Sequence, residues 1–268
     1  MRPWICALTL LLLPVGNMRA VDPPPANPLV EQVPFFAAAL SELISDTRSF
    51  TARADLWVQG ASPAETIQLP FGVAMHNGAM RWQADLAQLR GQDLDTDVIG
   101  SLRQMGLGSF SLILRTGTNA IVAFPSTKSY VAMPLNQTDS LREKAQDKVG
   151  FLQKTPMGQE TINGHPCRKY KLTCADGSKR FEDAYVWKAT DLNDLPIRLV
   201  VRTGGKVYTL QFSNIRQQEP DKRLFEAPSG YTRYEGIEGF LAATALKSLT
   251  ANDSGNSLSI NKLLESLR

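Results

Sequence analysis

The residues with the widest chemical repertoire here are His76, His165, Cys167, Cys174 and a few carboxylates. His76 stands where an apolar-alternating run meets Asn77-Gly78, and His165 lies between Gly164 and Pro166. A general base needs an orienting partner and a proton within reach. One sits at a strand end beside a hairpin turn and the other in a Gly-His-Pro run, so both histidines read as surface turn residues rather than bases. Asp183, between Phe181 and Tyr185 on one strand face, reads as a bulge or wet-edge acid. Arg53 and Asp55 read as solvated neighbours of cross-strand partners. The two histidines lack finger-type spacing to the cysteines, so a four-ligand zinc site is not supported. No Gly-x-Ser-x-Gly elbow, His-Glu-x-x-His or phosphate-cradling glycine loop occurs. The expectation is no catalytic residue, no metal and no cofactor: a chain that is not an enzyme.

The first twenty residues read as an export signal, with Arg2 as the basic start, Ile5 to Leu13 as the apolar core and Ala20 before the cut. That core is shorter than the about 20 residues a membrane span needs. Cys6 sits inside it rather than at the cut, so no lipid-modified cysteine is expected. The product is expected to be periplasmic or secreted, with no transmembrane segment after cleavage. Removing Arg2 and Arg19 takes the formal charge from +3 to +1, which gives nucleic acid no diffuse basic surface. Export makes a disulfide tempting, but Cys167 and Cys174 on one extended strand stand about 23 Å apart. A disulfide needs Cα atoms within about 7 Å. Two unpaired thiols are expected.

The elements that would position any site are strands. Phe50 to Val58, Ile67 to His76, Met80 to Leu86, Phe110 to Leu114, Ala120 to Phe124 and Tyr130 to Met133 carry strand patterns, and Asn77-Gly78 is the strongest hairpin signal. About five more follow between Gly158 and Tyr234. There Tyr170, Leu172 and Cys174 alternate with Lys169, Lys171 and Thr173, and Leu199 and Val201 with Arg198 and Arg202. Asp176-Gly177 and Gly204-Gly205 supply turns. Helical spacing marks Leu29 to Leu43 after an Asn27-Pro28 start, Ile237 to Ala245 and Ile260 to Leu267. Asp95 to Met105 reads as a short helix or a loop insertion, with Val98, Ile99 and Leu102 on one side. Gln137 to Phe151 reads as a charged helical connection. The fold class is α+β: a large curled antiparallel sheet, an incomplete β-barrel of about eleven strands, with helices covering the concave face. The expected order is signal peptide 1–20, proline-rich leader 21–28, half-barrel domain 29–234 and helical extension 235–268.

The run Gly158-Gln-Glu-Thr-Ile-Asn-Gly164, then Cys167-Arg-Lys-Tyr170, a strand to Trp187, Asp194-Leu-Pro-Ile197, Phe212-Ser-Asn-Ile215 and Phe225-Glu-Ala-Pro-Ser-Gly-Tyr231 forms a signature. It resembles the periplasmic lipoprotein-carrier (LolA/LolB-like) superfamily, nearest to its uncharacterised members, over Pro34 to Tyr234. The resemblance implies an unclosed barrel with helices over its mouth and an apolar cavity that shelters acyl chains. The expected partners are then a lipid or an acylated protein, or an envelope protein docked on the same fold.

The residues assigned to ligand binding on the apolar face are Phe50, Leu56, Trp82, Phe110, Leu112, Phe124, Tyr170, Leu172, Tyr185, Trp187, Leu199, Tyr208, Leu210 and Phe212. Ile237, Phe240 and Leu241 are assigned as a lid. Two readings stand for this set: it lines a cavity, or it fills a core.

Overall fold

The computed structural model describes residues 43–44, 49–62, 65–91, 96–115, 119–134, 152–174, 181–236 and 239–244. The expected leader, the start of the first helix, the 137–151 connection, the Thr116–Thr118 and Asp176-Gly177 turns, Ile237 and the last helix lie outside them.

Twelve strands make one sheet. Six come first: β1 (Ser49–Gln59), β2 (Ile67–His76), β3 (Ala79–Asp85), β4 (Ser109–Leu114), β5 (Asn119–Phe124) and β6 (Ser129–Pro134). Five follow: β7 (Leu152–Ile162), β8 (His165–Cys174), β9 (Asp183–Ala189), β10 (Leu195–Thr203) and β11 (Lys206–Arg216), and β12 (Thr232–Tyr234) ends the series. Three hairpins use paired left-handed residues, Asn77-Gly78, Asn163-Gly164 and Gly204-Gly205, all at positive φ. Two successive positive-φ residues match the twist of the flanking strands, and Asn and Gly pay least for them.

The strand order differs from a single meander. It runs β12-β6-β5-β4-β3-β2-β1-β11-β10-β9-β8-β7, so two meanders sit side by side and join where β1 pairs with β11. Among the described strands, β12 and β7 have one neighbour each, and the sheet is open. The expectation of an all-antiparallel sheet is corrected at one edge, because β12 runs parallel to β6. A parallel neighbour needs a long crossover, and residues 217–231 supply it.

Cross-strand partners share a face, so the register sorts the side chains. The core face carries Phe50, Ala54 and Leu56 of β1 opposite Met75, Phe71 and Leu69 of β2, and continues through Trp82, Phe110, Val122 and Val131. On the other side of β1 it continues through Phe212 and Leu210, then Leu199, Val186 and Tyr170. Three strand-to-strand steps separate β11 from β3, about 14 Å in a flat sheet. Yet the rings of Phe212 and Trp82 are 6.1 Å apart. The sheet therefore bends toward its core face, and that face is concave. The Asn163 side chain bridges a similar span: its amide donates to the Phe212 carbonyl at 3.1 Å.

Helical residues join the same core. Leu43, Ile44, Leu102 of α1 (Thr96–Gln104) and Phe240 in the helical turn 239–244 are all buried there. A smaller core lies on the outer face. Ala74, Ile113 and Ile121 pack under Phe225, while Arg81 donates to the Leu224 carbonyl at 3.1 Å and holds the crossover down.

Candidate functional site

The concave face is apolar across both meanders, and most residues assigned to the site lie on it. Phe50, Phe110, Phe124 and Phe212 keep only 1–2% of their surface accessible. A side chain facing a water-sized void would keep accessible surface there, so neighbouring atoms fill the space around these four rings. Phe50 meets Phe212 edge-on at 6.0 Å, and Phe71 meets Trp82 edge-on at 5.8 Å. Such pairs add about 0.5–1.5 kcal/mol each beyond burial. The Trp82 indole N–H donates to the Met80 sulfur. Leu172, Leu199 and Leu210 are sealed in the same way, while Leu56, Trp82 and Tyr208 keep slightly more surface. Leu112 and Tyr170 are half-buried against this core. The centre is closed, and what opening exists lies at such half-buried positions.

The lid residues divide. Phe240 is 1% exposed and stacks on Phe124 at 4.5 Å, with Tyr234 edge-on at 5.4 Å. Leu241 packs half-buried beside it. The chain thus runs from the outer face, around the β12 edge, and sets one phenyl ring on the concave face.

Two assignments are corrected. Tyr185 and Trp187 stand on the outer face, because Val186 pairs with Tyr170 and Ala184 with Leu172. Apolar residues occupy both faces of β9, so alternation alone could not choose between them. Trp187 pairs across the strands with Lys169 and with Arg198. The Lys169 ammonium lies 4.8 Å from the indole centroid and the Arg198 guanidinium 5.4 Å. Glu160 of β7 accepts from the Trp187 indole at 3.0 Å and from Lys169 at 3.0 Å. Those bonds, the Lys169 one first, hold its carboxyl below the usual carboxylate range. Beside this cluster Lys171 pairs with Asp183 at 3.3 Å. Asp183 therefore stands on the wet face of an interior strand, opposite Arg202, and not at the bulge or sheet edge expected for it. The alternation of Lys169 with Lys171 and of Arg198 with Arg202 placed these cations on the wet side of their own strands. Only the register gathers them into one patch.

The remaining candidates are held in surface pairs. His165 Nδ1 meets Asp191 at 2.8 Å, and Arg168 bonds Asp194 at 2.7 Å, tying the turn before β10 to β8. His76 contacts Ser49 at 3.0 Å and Glu219 at 3.5 Å beneath the crossover. Cys167 and Cys174 are free, buried and seven residues apart on one strand, so they point to opposite faces. Burial pushes the Cys167 thiol up. Among the described residues no three His, Cys, Asp or Glu side chains cluster as metal ligands, and no helix is long and apolar enough to cross a membrane.

No protein-family model matches the chain, and no curated protein matches it. Solved structures do. The lipoprotein LppX of Mycobacterium tuberculosis is 14% identical, with 69% of this chain and 97% of that one covered, at a TM-score of 0.40. A LolA superfamily protein from Nitrosomonas europaea is 12% identical, with 73% and 96% covered, at 0.32. MucB in the Pseudomonas aeruginosa MucA/MucB complex is 11% identical, with 73% and 61% covered, at 0.37. At such scores these likenesses decide nothing about ligand, partner or activity. The solved structures similar to this chain nonetheless include a member of the LolA superfamily, the superfamily whose motifs its second half resembles.

Proposed function

We propose that this chain is an exported, non-enzymatic binding module that shelters the apolar chain of a lipid or acylated protein against its concave face. The observation that carries the reading is one apolar face spanning both meanders, bent until Phe212 and Trp82 stand 6.1 Å apart. Each buried CH₂ is worth about 0.8 kcal/mol, so a long acyl chain gains most from a continuous dry wall of this kind. The centre of the wall is already occupied by side chains. An incoming chain would therefore enter where the wall keeps accessible surface, at Leu112 of β4 and Tyr170 of β8, and take the place that Phe240 holds on Phe124.

Two measurements test this. Protein purified without detergent is extracted and the extract analysed by mass spectrometry, and brominated fatty acid is titrated against tryptophan emission. Bound lipid, with quenching that is lost in Trp82→Phe, is the expected result. An empty extract together with unquenched Trp82 would sink the proposal. That outcome would favour docking of an envelope protein on the same scaffold, since sealed rings at Phe50, Phe110 and Phe212 are also what a permanently filled core looks like.

A further inference from the structure

The outer face of β8, β9 and β10 is built unlike the rest of the sheet. One cross-strand row reads Lys169, Trp187, Arg198, and the next reads Lys171, Tyr185, Val200, with Arg202 beyond. The indole is flanked by two cations, and one of them, Lys169, bonds the Glu160 carboxylate that also accepts from the indole. The Arg198 Nε is buried without a hydrogen-bond partner, so its attraction to the ring is what holds it there. Arg202 is exposed and stands opposite Asp183 in the register, while the Asp183 carboxylate bonds Lys171 at 3.3 Å. Four cations thus face two carboxylates, Glu160 and Asp183, and the patch is positive.

The row of Tyr185 and Val200 runs on through Thr209 to Trp57, all half-buried. At the rim, Met157 is 53% exposed as the extra residue of the β7 bulge, between Pro156 and Gly158. We propose that this surface docks on a bilayer containing anionic phospholipid. Trp187 itself is 6% exposed, so the rings this face presents are those of Tyr185 and Trp57, both half-buried. Amphipathic rings suit the headgroup layer, and Lys and Arg near the surface are drawn to anionic lipid. An acidic peptide fits less well. These residues stand on the convex side of the sheet, which offers no groove to clasp a chain, and the cations are spread over three strands.

The test is independent of any acyl ligand. The mature chain is sedimented with phosphatidylcholine vesicles and with vesicles that also contain phosphatidylglycerol. Binding to the anionic vesicles alone, weakened by salt, is expected. The Lys171→Glu/Arg202→Glu variant changes two surface side chains and should bind at least about tenfold more weakly, at about fivefold per cation removed. Asp183→Asn should bind about fivefold more tightly by the same reasoning. Circular dichroism checks that both variants keep the sheet. Equal binding to neutral vesicles, indifference to both variants, or equal affinity for polyglutamate would overturn the proposal.

Discussion

Replacing Phe212 by alanine removes the ring that ties the two meanders together. Phe212 is 2% exposed, on the strand that pairs with β1, and its ring touches Phe50 at 6.0 Å and Trp82 at 6.1 Å. Phe→Ala in a filled core costs about 3–5 kcal/mol, the lost transfer energy plus the cavity left behind. The high end applies if the bent wall cannot collapse onto the gap, because its ring partners come from two strands, β1 and β3. For a domain near 200 residues this lowers the melting temperature by roughly 6–20 °C. Val200→Ala, on the outer face of the neighbouring strand, should cost less than about 1.5 kcal/mol. Urea unfolding followed by tryptophan emission reads both, with an unchanged slope showing that stability alone has moved. If the two variants cost the same, or Phe212→Ala costs less than about 1 kcal/mol, the concave face is not where the core lies and the assignment of faces fails.

Other outcomes follow from the same geometry. Phe240→Ala should strip amide protection from residues 239–244 in hydrogen exchange while the sheet keeps its own, because Phe240 docks that turn on Phe124. The two thiols of the mature chain should stay unreactive toward a disulfide reagent until the protein unfolds, and no disulfide should appear on a non-reducing gel. Lys169 and Trp187 lower the Glu160 pKa on folding. Its stabilising contribution is therefore full above the ordinary glutamic acid range and fades as pH falls through the lowered folded value. Trp187 emission should then titrate with a midpoint below about 4.3, and Glu160→Gln should remove the transition; a midpoint above that value would refute the link.

Much of the sheet is legible in the residues. Period-two runs mark about eleven of the twelve strands, Asn77-Gly78 and Gly204-Gly205 mark two turns, and the positive φ values at those turns show why Asn and Gly stand there. The spacing of Cys167 and Cys174 excludes a simple disulfide, and both thiols are free. Asn163-Gly164 carries the same hairpin chemistry, and β7 turns into β8 there with both residues at positive φ. The β9 strand misled for a physical reason. With Ala184 and Val186 on one side and Tyr185 and Trp187 on the other, hydropathy is equal across its faces, and the larger aromatic pair drew the assignment to the core.

Alternation is a local property of a chain whose side chains point up and down in turn, so the sequence by itself determined which residues share a face within one strand. Which face of one strand continues which face of the next depends on hydrogen-bond register, and register is settled only when distant segments meet. The pairing of β1 with β11, the parallel β12 edge, the bend that brings Trp82 to Phe212, and the gathering of Lys169, Trp187 and Arg198 all arise there. Tertiary structure decided them, because each joins residues whose contact costs loop-closure entropy that no local pattern records.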